Sequence, residues 1–132
     1  MALRWYTVVV EAHDHHALGA WWARALDWDI RFDTEEEVVL VPKWAAELGP
    51  ALEFRQVPPG LVFVPVEHRK EGKNRLHLDF APHTSQDRDA EIARLIDLGA
   101  TRVDVGQDPQ VTWDVLADPE GNEFCVLSSR EE

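Results

Sequence analysis

Laid over itself at an offset of 70 positions without gaps, the chain sets His13 against His83, Ala20 against Ala90, Ala23 against Ala93, Arg24 against Arg94 and Asp27 against Asp97. A repeat of this period restricts the fold to two copies of one supersecondary unit. In the first copy, residues 5–10 read as a strand. Asp14 then caps a helix whose apolar positions Leu18, Trp21, Trp22, Ala25 and Leu26 keep helical spacing. Residues 28–33 and 37–42 form a hairpin pattern, 43–59 read as an irregular excursion with one helical turn, and 60–66 read as a strand with Pro65 marking its edge or end.

Residues 67–73 are charged and carry glycine, which makes them the linker between a first module at 1–66 and a second at 74–132. The second copy opens with a strand at 75–80. Thr84 is its expected helix cap, Ile92, Leu95 and Ile96 form the apolar stripe, and Gly99 closes the helix. A strand at 101–105 follows, then strands at 112–117 and 123–128 joined by the turn Asp118-Pro119-Glu120-Gly121-Asn122. The order is strand, helix and three strands, twice. The offset of 70 also sets Thr7 opposite His77, and a shorter match of residues 60–64 with 121–125 sets Val64 opposite Cys125.

Chemistry concentrates at the start of the second copy. Alternation along 75–80 puts Leu76, Leu78 and Phe80 on one face and Arg75, His77 and Asp79 on the other. Three ionisable groups in a row fit a solvated face or a site, because a buried charge must be paired or neutralised. Carboxylate and guanidinium neighbours can tune an imidazole for proton transfer near neutral pH. The competing reading is a hydrogen-bonded structural histidine, with Lys73, Arg75 and Asp79 forming a surface ion-pair cluster. His13, His15 and His16 read as a solvated loop around the Asp14 cap. The 43–59 excursion reads as a lid or as a plain loop extension.

Bulk properties exclude several partners. A formal net charge of -12 opposes sequence-independent binding to nucleic acid or anionic membrane. No stretch approaches the roughly 20 apolar residues of a membrane span. One cysteine, Cys125, cannot form an intramolecular disulfide, which together with the absence of a signal-like start makes a cytoplasmic location the expectation. Six tryptophans call for large apolar surfaces at a core, a pocket or a subunit interface. Trp21 and Trp22 are expected in the core or at a dimer contact, and Trp5 and Trp113 as pocket walls or, equally, as core residues.

The duplicated βαβββ pattern, Asp14 opening a Trp-rich helix, Lys73-Asn74-Arg75-Leu76-His77-Leu78-Asp79 and Asp118-Pro119-Glu120-Gly121-Asn122-Glu123-Phe124 together resemble the vicinal oxygen chelate superfamily. Within it, the chain is similar to glyoxalase-like domains, near glyoxalase, bleomycin-resistance and extradiol dioxygenase proteins. The resemblance implies an α+β fold in which two βαβββ modules form a curled mixed sheet, a half-barrel cavity with helices outside, in a homodimer. Metal-dependent relatives draw four ligands from equivalent strand positions of both modules, here Thr7, Val64, His77 and Cys125.

Only His77 matches the relatives' ligand type, and Cys125 could serve a soft ion as thiolate. Glu53 joins the candidate donors if residues 51–54 form the last strand of the first module. No resident metal or other cofactor is therefore expected. The implied function is to act on or bind a small oxygenated metabolite in the cavity. His77 would move a proton, Arg75 would hold an anionic oxygen and Asp79 would orient the imidazole. Trp5, Thr7, Val64, Trp113 and Cys125 would line the ligand. The alternative is non-catalytic sequestration of a cationic or aromatic compound, as in bleomycin resistance, or a degenerate site in a purely structural partner.

Overall fold

A computed structural model describes residues 2–103 and 111–132, and the chain divides into two compact units, Met1–Arg69 and Lys70–Glu132.

In the first unit, β1 (Thr7–Ala12) leads to α1 (His15–Leu26), then β2 (Asp29–Asp33), β3 (Val38–Val41), α2 (Lys43–Leu48) and β4 (Gly60–Pro65). The strands order β1-β4-β3-β2, with β1 parallel to β4 and the other neighbours antiparallel. Asp14 caps α1 as expected, its carboxylate accepting from the Ala17 N–H at 3.1 Å. The helix lies across the sheet. Leu18, Trp21 and Trp22 bury against Val38, Leu40, Leu61 and Phe63, the sheet residues of one alternation phase. Gly19 allows this approach, since a Cβ there would stand 2.6 Å from Val38 Cγ1. Trp21 and Trp22 are thus core residues, with rings edge to face at 5.0 Å.

The second unit repeats the topology: β5 (Leu78–Phe80), α3 (Arg88–Leu98), β6 (Thr101–Arg102), β7 (Asp114–Ala117) and β8 (Glu123–Val126), ordered β5-β8-β7-β6 with β5 parallel to β8. Ile92 and Leu95 of α3 are buried, as are Leu116, Phe124 and Val126 on the sheet. The turn at 118–122 closes on a buried carboxylate. Asp118 accepts from the backbone of Glu120 and Asn122 and from the Asn122 amide, at 2.9–3.0 Å, while Gly121 takes the positive φ of 86°. The α+β class, with two four-stranded mixed sheets among the described residues, agrees with the sequence expectation.

Several local expectations are corrected. The first strand runs Thr7–Ala12, leaving Trp5 ahead of it and 64% exposed. Within 43–59, Lys-Trp-Ala-Ala-Glu-Leu are good helix formers that continue into a second, 3₁₀ turn at Gly49–Ala51, so the segment is more regular than its prolines and glycines suggest. Glu53 consequently sits in an exposed turn rather than a strand. The cap of α3 is Asp87, not Thr84, its carboxylate accepting from Ala90 N–H at 3.2 Å. A carboxylate beside four N–H groups at the positive helix end outcompetes the more distant hydroxyl. His15 is buried and bonded to the Thr34 carbonyl at 2.9 Å, and His16 meets Asp33, so this cluster is not simply solvated. Residues 104 and 105 of the expected 101–105 strand lie outside the described residues.

Candidate functional site

The strand expected at 75–80 starts only at Leu78, and this late start shapes the site. Asn74 Oδ1 accepts from the Glu123 N–H at 3.2 Å, Glu123 Oε1 accepts from the Asn74 N–H at 3.5 Å, and the Asn74 amide donates to the Leu76 carbonyl at 3.2 Å. These bonds hold the chain in a bend where strand ladder bonds would otherwise form. Leu76 is therefore 87% exposed rather than a core residue, and Arg75 is exposed beside it.

Lys73 completes the clamp, its Nζ 2.7 Å from Glu123 Oε2. The side chain of Glu123 is only 11% exposed, and the Lys73 hydrogen bond holds its carboxyl below the usual range against the opposing effect of burial. Lys73 thus pairs with Glu123 rather than in a surface cluster with Arg75 and Asp79.

Beyond the bend, β5 runs beside β8 in parallel, with Asp79 next to Cys125. Antiparallel pairing sets Val115 of β7 on the other side of Cys125. Alternation then places Asp79, Cys125, Glu123 and Val115 on the sheet face opposite Phe124 and Leu116. A cavity of about 430 Å³ opens there, lined in part by Lys73, Asn74, His77, Asp79, Trp113 and Cys125. That volume suits a small-molecule ligand.

Within it, His77 Nε2 lies 3.2 Å from Asp79 Oδ1, with both side chains about half exposed. Cys125 is buried. Burial, and then the neighbouring Asp79 carboxylate, push its thiol pKa up, and the thiol and carboxylate lie within 4.8 Å of each other. Asp79 therefore sits between an imidazole and a thiol. The wall is apolar around them: Val115 and Leu127 supply carbon surface and Trp113 an indole left 39% exposed.

Of the expected site residues, the structure brings His77, Asp79, Trp113 and Cys125 to one pocket, and Arg75 lies outside its lining. Trp5, Thr7, Val64 and Glu53 belong to the first unit. There the Thr7 hydroxyl donates to backbone carbonyls, including that of Gly60 at 3.1 Å. Strand register also revises the repeat. Val9 pairs with Val62 and Asp79 with Cys125, so the alignment that sets Thr7 opposite His77 sets Val62, not Val64, opposite Cys125. Lys73, Asn74 and Glu123 are lining residues that sequence reasoning missed. Glu123, two residues before Cys125 on one strand, was the available signal.

The four strand positions of metal-dependent relatives fit a metal poorly in this chain, because valine has no donor and the Thr7 hydroxyl is engaged with carbonyls. A different set does fit. His77, Asp79 and Cys125 each offer one donor atom, and the three atoms all lie within 4.8 Å of one another. Tetrahedral coordination at bond lengths of roughly 2.0–2.3 Å spaces donors by about 3.3–3.8 Å, so small side-chain rotations close the set.

Comparison with known proteins bears on what this fold is. A family model described as a glyoxalase-like domain matches residues 7–127. No curated protein matches the chain. Among solved structures, a glyoxalase/bleomycin resistance protein/dioxygenase family enzyme from Burkholderia phytofirmans PsJN is similar with a TM-score of 0.68 at 16% identity, covering 97% of this chain and 100% of its own. A genomically encoded fosfomycin resistance protein from Listeria monocytogenes has a TM-score of 0.68 at 11% identity, covering 98% and 96%. The trypanothione-dependent glyoxalase I of Leishmania major has a TM-score of 0.59 at 11% identity, covering 96% and 87%. At such identities the likeness is one of fold. The paired βαβββ topology and a family match over nearly its whole length place the chain in the glyoxalase-like domain family of the vicinal oxygen chelate superfamily.

Proposed function

We propose that the pocket of the second unit takes a small oxygenated metabolite and that His77 moves a proton on it. The observation that carries this is the 3.2 Å contact between His77 Nε2 and Asp79 Oδ1 inside a cavity. With Nε2–H donating to Asp79, the lone pair lies on Nδ1, which takes a proton from an acidic C–H or O–H of the ligand and later returns it. Asp79 orients the ring, and Cys125 stands beside the same carboxylate on the neighbouring strand. Lys73 rather than Arg75 is the cation available to an anionic oxygen, since it lines the pocket and Glu123 positions it. The reading carries with it the homodimer implied by the family and the cytoplasmic setting suggested by a lone cysteine.

Non-catalytic binding is the second reading, favoured by the apolar wall of Trp113, Val115 and Leu127. Both are tested on chelator-treated protein by a thermal-shift screen of small dicarbonyls, catechols and cationic glycopeptides. Hits are followed for deuterium exchange at the carbon bearing the acidic proton. Proton transfer predicts exchange that His77→Ala abolishes. Stabilisation that survives His77→Ala, without exchange in the parent protein, selects the binding reading. If no compound stabilises the parent protein, both are wrong.

A further inference from the structure

We infer that His77, Asp79 and Cys125 form a soft divalent-metal site of the zinc type, contained within the second unit. This is a different donor set from the two-module one that the family resemblance implies, because Asp79 enters from the strand that follows His77 and nothing is required of Thr7 or Val64. Two of the three donors are placed by backbone pairing, Asp79 beside Cys125 on hydrogen-bonded parallel strands. The third, His77 Nε2, already stands 3.2 Å from Asp79 Oδ1, close to the spacing of two ligands on one ion.

The chemistry of the set selects the ion. One thiolate and one carboxylate balance a charge of 2+, and sulfur with imidazole favours Zn²⁺ or Co²⁺ over Mg²⁺ and Mn²⁺, which prefer oxygen. Loading replaces the S–H bond of Cys125 with a sulfur–metal bond and releases that proton to solvent, without any change of oxidation state. His77 and Asp79 are about half exposed and line the pocket, so a ligand oxygen there could reach the ion, which would act on it as a Lewis acid. A metal on Nε2 replaces the His77–Asp79 contact. The loaded protein and the proton-transferring one are thus alternative states of the same pocket, and neither reading rests on the other.

The test uses the full chain, reduced and stripped with chelator, titrated with ZnCl₂ by calorimetry and with CoCl₂ by absorption spectroscopy. One Zn²⁺ per chain is expected, with a heat that depends on the buffer's ionisation enthalpy because a proton is released. Co²⁺ should give a thiolate charge-transfer band in the near ultraviolet and tetrahedral bands in the visible, while MgCl₂ and MnCl₂ give no saturable heat.

Cys125→Ser should abolish the charge-transfer band, and Asp79→Asn and His77→Gln should each weaken zinc at least about tenfold. His16→Gln, in the separate histidine cluster, should change nothing. Absence of saturable zinc binding, a cobalt spectrum without the thiolate band, or loss of binding with His16→Gln in place of His77→Gln overturns the inference. If Cys125→Ser does not fold, the exposed His77→Gln decides: unaltered cobalt bands overturn it. Ligand stabilisation of stripped protein is read separately, so either conclusion can fail alone.

Discussion

Asp79 and Cys125 stand side by side on parallel strands, with the carboxylate of one within 4.8 Å of the thiol of the other. The pairing makes Cys125 a poor nucleophile despite its place in a pocket. Its thiol pKa is raised in the folded chain by burial first and by Asp79 second. A raised folded pKa contributes stability that is complete below the unfolded thiol's value of about 8.5 and is lost as pH climbs toward the folded one. Metal-free protein should therefore lose stability above about pH 8.5, and Cys125→Ser should remove that loss. Iodoacetamide should alkylate Cys125 many times more slowly than free cysteine at pH 8, and Asp79→Asn should speed it. Alkylation at the free-cysteine rate would show the thiol to be unprotected.

Glu123 carries an acid-side counterpart. Its folded pKa is lowered, chiefly by Lys73, so its contribution is present above the ordinary carboxylate value of about 4.3 and lost as pH falls through the folded one. Since Lys73 is 65% exposed, the ion pair is screened and worth about 1 kcal/mol or less. Urea titration of Glu123→Gln at pH 7 should show a deficit of that order, shrinking below about pH 4. A deficit that stays constant with pH would mean the clamp is steric and not electrostatic.

Gly19 marks the tightest approach of helix to sheet. Gly19→Ala gains about 1 kcal/mol of helix propensity but drives a Cβ to 2.6 Å from a fully buried Val38, an overpacking cost of roughly 1–3 kcal/mol. The variant should melt at lower temperature. Combining it with Val38→Ala should cost less than the sum of the two single losses, because the second change removes the nearest atom the first would meet, although the Cβ at 2.9 Å stays. Simple additivity would refute the contact.

Asp118 holds the 118–122 turn through three hydrogen bonds from a buried position. Asp118→Ala leaves those donors unsatisfied and should cost roughly 1–3 kcal/mol. Asp118→Asn keeps an acceptor for the two backbone groups and should cost less. Equal melting temperatures for Asp118→Ala and the parent would show that Gly121 and Pro119 alone make the turn.

The repeated βαβββ order was legible in residue patterns because it rests on short-range physics. Asp14 as a cap, the spacing of Leu18, Trp21 and Trp22, and the Asp-Pro-Glu-Gly-Asn turn each act within a few residues. Alternation along a strand likewise told which side chains share a face. It could not tell which residue of another strand stands beside them. The pairing of Asp79 with Cys125, 46 positions away, and of Lys73 with Glu123, 50 away, came from the parallel docking of β5 on β8.

The same docking explains the failure at Leu76. Alternation alone continues a strand through it, but Asn74 is drawn to the backbone and carboxylate of Glu123, and the chain bends before Leu78. Thus the sequence by itself determined the repeated order of elements, the Asp14 cap and the 118–122 turn, while tertiary structure decided the cap of α3, the strand register, and with it the site. The physical reason is that local propensity depends on neighbours along the chain, whereas a pocket requires side chains brought together from strands far apart in it.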